Sequence, residues 1–449
     1  MKWVLLLLPL FLLSSLTADE EIFVHVATEK NLRPLRLTPF CHLRSSFSAA
    51  YVKELEEVMR FDMNHNGKTE VVPKSSPIHN LEKQETAFTQ FDMKSWRELD
   101  LDYVIRGGIL NKDFIVLVLS TQTGEVQGVD NIPLTGNLQE DRRTIHQVSD
   151  AIYETLFNEK GIAQTHILYT IRRKVGSSSS DWITEIWEAD YDGGNPKQIT
   201  KERSLCVTPT YIPSTPGKLL YVSYKLGQPK MYLADLEKGV GERVSFLRGN
   251  QLMPVVSPKK NAMAFISDIS GNPDLFLQDF SVEKGLLGKP RQVFSAPRAT
   301  QGSPSFSPDG KKLAFVSNKD GTARIYTLDI PPAGAPIDSL TPKLISRKNG
   351  NNTSPAWSPD GTKIAYSATT RGTRQIWIYD LLSGEEKQVT EGPGHKENPT
   401  WAPNSQHLLF NSSTPSESEL YLVHLDKSQA IKISNGPGEK RYPCWENHV

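Results

Sequence analysis

The chain has 449 residues, 51 of them basic and 51 acidic, so its formal net charge is zero. That balance argues against broad nucleic-acid binding, which leaves a basic surplus, and a 38% hydrophobic content is too high for a disordered chain. Thirty prolines exceed the roughly 5% average and point to many turns between short strands.

In chain order, Lys2, an apolar run over 4–13 and small residues ending at Ala18 predict a signal peptide over 1–18, with Asp19 starting the mature chain. The run is about half the roughly 20 residues that a spanning helix needs. No later stretch is apolar enough, so an exported chain that does not itself span a membrane is expected. Residues 19–160 read as a small α/β domain. Within it, 22–26 is predicted as a strand. Residues 47–59 are predicted as a helix with Phe47, Ala50, Tyr51, Leu55, Val58 and Met59 on one face and Ser46 or Ser48 as N-cap. Residues 74–85 are polar and read as loop. Strands are expected over 103–110 and 114–119 around an Asn111-Lys112-Asp113 turn, and Ile145, Val148, Ile152 and Leu156 mark a second helix.

The second half repeats. Ser303-Pro304-Ser305-Phe306-Ser307-Pro308-Asp309-Gly310 and Ser354-Pro355-Ala356-Trp357-Ser358-Pro359-Asp360-Gly361 each precede an apolar strand. Weaker copies start at Pro209, Pro254, Pro399 and Pro443, and the leading prolines are 45, 50, 51, 44 and 44 residues apart. A period of roughly 40–50 residues is the signature of a radial repeat, and each unit reads as four strands around a Pro-Asp-Gly-type turn. The last copy stops after its first strand, around Tyr442 to Glu446. Three strands over 166–171, 182–190 and 196–200 lack a first strand of their own. Their union makes a sixth blade and closes the ring. The fold class is therefore an α/β N-terminal domain followed by an all-β six-bladed β-propeller over 161–449. Residues 176–180 read as a loop tip in the composite blade.

Chemistry is hard to find. Cys41, Cys206 and Cys444 are too few for a disulfide scaffold. No Gly-x-Ser-x-Gly elbow is present, as a peptidase would require. Asp62 to Gly67 imitates a calcium loop, but its twelfth position is Pro73, which offers no carboxylate. Gly67-Lys68-Thr69 lacks the earlier glycine of a phosphate loop, where Asp62 stands. The ten histidines show no paired-ligand spacing; His146 and His395 read as hydrogen-bonded or solvated. No catalytic residue, cofactor or metal is expected. What remains is binding surface: the segments leading into the inner strands ring one mouth of the channel. Arg203, Asn250, Arg298, Thr300, Asn351, His395, Lys396 and Lys440 are the expected partner contacts on a positively biased rim.

The Pro-x-[Phe/Trp]-Ser-Pro-Asp-Gly repeats, the exported α/β domain ahead of them, and the junction Lys160-Gly161-Ile162-Ala163-Gln164-Thr165-His166-Ile167-Leu168-Tyr169 resemble the TolB family of the Tol–Pal system. The resemblance implies a non-enzymatic periplasmic scaffold whose propeller mouth binds a peptidoglycan-associated lipoprotein (Pal). It also implies an N-terminal segment, here Ile22, Phe23, Val24, His25 and Val26, that touches a TolA-like inner-membrane protein. Such a system supports outer-membrane integrity and constriction at cell division. Pro39-Phe40 matches the family's pair, whereas residues 20–37 lack its glycine and carry Arg33 and Arg36. The rival expectation is a propeller that binds a glycan or small ligand, or a non-catalytic peptidase-type propeller.

Overall fold

The computed structural model describes residues 22–24, 32–85, 87–176, 182–331, 340–427 and 429–447. The expected signal peptide, His25, Val26 and most of the 176–180 tip lie outside the described residues. The first element among the described residues is a two-residue strand, β1 (Phe23–Val24), which belongs to the propeller.

The N-terminal domain is a mixed sheet between two layers of helices. Its strands are β2 (Arg33–Leu37), β3 (Cys41–Leu43), β4 (Thr69–Val71), β5 (Tyr103–Leu110), β6 (Asp113–Ser120) and β7 (Val126–Pro133), in the order β4-β2-β5-β6-β7 with β3 also on β5. β2 pairs parallel with β4 and β5, whereas β5, β6 and β7 form an antiparallel meander.

The helices α1 (Ala49–His65) and α4 (Leu138–Phe157) cover one sheet face. Val52, Leu55, Val58 and Met59 of α1 and Ile145, Val148 and Ile152 of α4 pack there on Leu35, Leu37, Ile105 and Phe114. Ser48 caps α1 by accepting from Tyr51 N. The helix runs on past the expected end because Asp62 and Met63 keep the buried face going. Ala50, expected on that face, is exposed.

The other sheet face is covered by α2 (Ser76–Gln84) and α3 (Met93–Arg97). The loop expected over 74–85 is thus a helix. Ser75 caps it, Pro77 sits in its first turn where its missing N–H costs nothing, and Ile78 and Leu81 bury one turn apart against Val104 and Leu119. Two apolar positions were too few to reveal this periodicity.

Among the described residues, the C-terminal part forms six four-stranded antiparallel sheets. The innermost strands are Cys206–Tyr211, Gln251–Val256, Gln301–Phe306, Thr353–Trp357, His395–Trp401 and Glu439–Trp445; they define blades one to six in that order. Blade six is composite. Glu439–Trp445 pairs with His166–Lys174, in register from Glu439↔Arg172 to Trp445↔Ile167, and Trp182–Asp190 and Lys197–Gln198 complete the sheet. The pairing starts earlier than Tyr442, because the strand continues back across the bulge to Glu439. Buried Trp445 donates from Nε1 to Thr165 Oγ1 at 2.8 Å and so ties the last strand to the entry into the propeller.

The two domains meet at α1 and α4. Phe61 packs on Tyr191 with ring centroids 5.7 Å apart. Ala163 N and Gln164 N donate to the Asp150 carboxylate at 2.9 and 3.0 Å, and Lys427 Nζ donates to Asn64 O at 2.6 Å. Gly193, at φ +84°, lets the blade-six loop pass so close to Ile433 O that a Cβ would stand 1.8 Å from it. Among the described residues, no helix is long and apolar enough to cross a membrane. The three cysteines are free thiols, with Cys206 buried.

Candidate partner-binding site

Every innermost strand breaks register once, at a residue with positive φ that precedes the repeat's proline: Thr208, Met253, Ser303, Ser354, Asn398 and Tyr442. Six aligned bulges place a ring of half-buried side chains around the channel. Some join neighbouring blades: Ser354 Oγ donates to Asn398 Oδ1 at 2.9 Å and Ser303 N to Met253 Sδ at 3.1 Å. Sequence reasoning passed over this ring, although its signal, the residue before each repeat proline, was in the alignment of the copies.

Because the six inner strands run the same way along the channel, their starts make one mouth and their ends the other. The ends, with the Ser-Pro-Asp-Gly turns, form an aromatic and proline-rich funnel of about 380 Å³. It is lined by Tyr211, Phe306, Trp357, Trp401 and Trp445 with Pro213, Pro258, Pro308 and Pro359. This funnel is on the side where the turn residue Gln406 and its neighbours meet the N-terminal domain, as Gly67 packing on His424 shows.

The starts make the polar mouth. Arg203, Arg298, Thr300, Asn351 and His395 are exposed there, and Asn250 is half-buried. Arg203, Arg298 and Asn351 take positive φ in tight turns. Asn250 is held by Asp268, which accepts from its N and Nδ2 at 2.6 Å each, and Asn318 accepts from Thr300 N at 2.7 Å. The rim is mixed in charge rather than uniformly positive. Glu397 accepts from Arg374 at 2.6 Å, Glu439 pairs with Arg441 at 3.3 Å, and Glu202 pairs with Lys225 at 2.6 Å. Burial works against ionisation of Glu202, but hydrogen bonds from Lys225, Ser223 and Tyr221 outweigh it and hold the carboxyl below its usual range.

Lys396 and Lys440 do not belong on this surface. They are 0% and 1% exposed. Both stand two residues before the bulge, the column also occupied by buried Cys206, Gln251, Gln301 and Asn352. Side chains alternate across a strand, so this column points between blades while the position before it, that of Asn250, Thr300, Asn351 and His395, points to the mouth. The buried column serves the loops. Lys396 Nζ donates to Pro393 O and Gly394 O, and Lys440 Nζ to Gly436 O and, at 2.9 Å, to Glu419 Oε1. Gln251 Nε2 reaches Gly249 O at 2.8 Å, and Asn352 Nδ2 reaches Asn349 O at 3.0 Å. Inward-turned loop carbonyls need donors, and these side chains supply them.

The N-terminal segment docks on the propeller, between blades four and five. β1 pairs antiparallel with Thr390–Glu391, and Ala430 N donates to Ile22 O at 3.2 Å. Ile22 and Val24 are buried among Ile376, Ile378, Val389, Leu408 and Val423, while Phe23 is exposed.

Comparison with known proteins bears on this geometry. Residues 153–448 match the TolB beta propeller domain family. The Protein TolB homolog of Protochlamydia amoebophila is 47% identical over 380 residues, 84% of this chain and 81% of that one. The Protein TolB homolog of Chlamydia trachomatis serovar L2 is 37% identical over 387 residues, 86% and 82% of the two chains. The crystal structure of TolB from Acinetobacter baumannii superposes with a TM-score of 0.74 at 22% identity, covering 96% of this chain and 100% of that one, and shares the fold. With a propeller-family match over more than half its length and relatives covering most of it, the chain belongs to the TolB family.

Proposed function

We propose that this chain is a non-enzymatic, periplasmic protein-binding scaffold of a Tol–Pal system that supports outer-membrane integrity and envelope constriction during division. The observation that carries the reading is the polar mouth: it presents Arg203, Arg298, Thr300, Asn351 and His395, and buried Gln251, Asn352, Lys396 and Lys440 tie four of its loops down from beneath. Pre-ordered polar groups on a rigid ring suit a protein partner, since little ordering entropy opposes binding. Family membership supports a peptidoglycan-associated lipoprotein as that partner. Lys396 and Lys440 contribute by holding the loops. The segment around β1 is the contact for a TolA-like protein: a short strand that adds to a sheet edge by main-chain bonds.

The test is capture of Pal from envelope extract with cross-linking, using a folded Arg203→Glu/Arg298→Glu variant. Binding should fall at least about 10-fold and lose salt dependence; wild-type capture would move the site elsewhere. The aromatic funnel favours a second reading, a glycan or small apolar ligand at the opposite mouth. Capture of carbohydrate alone, unaffected by the two charge reversals, selects that reading.

A further inference from the structure

We propose that the domain interface holds one divalent ion of the zinc type, ligated by His146 of α4 and by Asp190 and Asp192 at the end of the blade-six strand Trp182–Asp190. The site is separate from both mouths and draws its ligands from both domains.

His146 is 1% exposed. Its Nδ1 lies 2.9 and 3.0 Å from the two Asp62 carboxylate oxygens, and Asp62 Oδ1 also accepts from Tyr191 OH at 2.8 Å. A carboxylate on Nδ1 fixes the ring and turns Nε2 into the nitrogen available to a metal. That Nε2 is buried and has no hydrogen-bond partner. It points between Asp190 Oδ2 and Asp192 Oδ2, each 3.8 Å away, too far for a hydrogen bond.

The three ligand atoms lie within 4.8 Å of one another. A tetrahedral ion with bonds of about 2.05 Å has edges of about 3.3 Å, so each His–Asp gap needs to close by only about half an ångström. One imidazole and two carboxylates, with a fourth position for water, suit zinc better than calcium or magnesium, which take all-oxygen shells.

Charge points the same way. Asp62, Asp190 and Asp192 face one guanidinium and a second imidazole: Arg142 Nη2 is 2.5 Å from Asp192 Oδ2, Arg142 Nε, buried without a hydrogen-bond partner, is 3.8 Å from Asp190 Oδ2, and His166 Nε2 is 3.9 Å from Asp190 Oδ1. A divalent ion bound at Nε2 would place its positive charge beside these carboxylates, inside the interface. Each ligating oxygen has one lone pair engaged, Asp190 Oδ2 by Asn195 Nδ2 at 2.7 Å and Asp192 Oδ2 by Arg142, and retains a second. Gly194 N holds Asp192 Oδ1 at 2.8 Å. The ligand set is therefore oriented before an ion arrives. The residues lie up to 130 positions apart, which is why no spacing motif revealed them; Asp62, the head of the failed calcium loop, becomes the residue that orients the histidine.

The experiment uses the full mature chain, stripped with a chelator and titrated with Zn²⁺ alone by calorimetry and native mass spectrometry. One ion per chain and a raised melting temperature are expected, and Co²⁺ in its place should show the visible bands of a four-coordinate site. Asp190→Asn and Asp192→Asn preserve shape and should each weaken binding at least about 100-fold, and Asp62→Asn about 10- to 100-fold. His146→Gln should abolish binding, and if that variant does not fold, the two asparagine variants decide. Absence of saturable binding to the folded wild type would mean that a proton alone serves Nε2 and would overturn the proposal. So would wild-type affinity in folded Asp190→Asn and Asp192→Asn chains.

Discussion

The propeller receives a strand from each end of the described chain, and the two are held very differently. The C-terminal strand Glu439–Trp445 is seven residues long, sits innermost in blade six, and carries Trp445 into the core beside Tyr169 and Tyr191. The N-terminal β1 is two residues long, lies at the outer edges of blades four and five, and adds two register pairs to a strand that blade four does not need for its own sheet. The ring cannot close without the first, whereas it is already closed before the second docks. A ladder within a blade locks architecture, and a ladder on its rim is an attachment that a partner's sheet edge can replace.

The largest expected effect tests the lock. Removing 439–449 deprives blade six of its inner strand and should cost on the order of 5 kcal/mol or more, seen as loss of a cooperative melt by circular dichroism. A truncated chain that melts at the wild-type temperature would end the distinction. Trp445→Ala alone should cost about 3–4 kcal/mol, read from denaturant midpoints at constant slope.

Acid probes the domain interface beside the locked end. Burial, and then Lys427, push His65 down to about 4, and burial with His424 and His65 pushes His407 well below its ordinary value. Both imidazoles are therefore neutral when folded but take up protons below about 6.5 when unfolded. The contribution of these two groups is constant above pH 7 and is lost as pH drops from about 6.5 towards 4. His65 alone contributes about 2 kcal/mol after allowance for its partial exposure. Melting temperatures at pH 7.5 and 5 measure it, and His65→Gln should flatten the profile.

Deleting everything through Val24 tests the attachment. It uncovers the site of Ile22 and Val24 but breaks no blade, so it should cost only about 1–2 kcal/mol, and binding of a TolA-like protein should be lost while Pal still binds. A collapse as large as that of the C-terminal truncation would show that both ends are locks. Smallest of all, Arg203→Glu/Arg298→Glu should change stability by no more than about 0.5 kcal/mol, because both side chains are exposed. Lys396→Ala, by contrast, should cost at least about 1 kcal/mol, since it strips Pro393 O and Gly394 O of a buried donor.

What the sequence by itself determined was whatever repeats or is periodic. The six prolines set the blade count, the truncated last copy set the closure, and the apolar spacings of α1 and α4 set the helices that flank the mixed sheet. These are local regularities sampled several times over, so single deviations do not hide them. α2 was hidden because Ile78 and Leu81 are a single turn's worth of pattern. Tertiary structure alone decided which side of a strand meets water. Lys396 and His395 are adjacent in sequence and both polar, yet one faces a neighbouring blade and the other the mouth, because alternation assigns sides only once the bulge fixes the register. It also decided that Ile22 and Val24 dock between two blades, and that Asp62, His146, Asp190 and Asp192 converge. Contacts between distant segments leave no mark on the spacing of either, since the chain between them is free to vary in path until the core is packed.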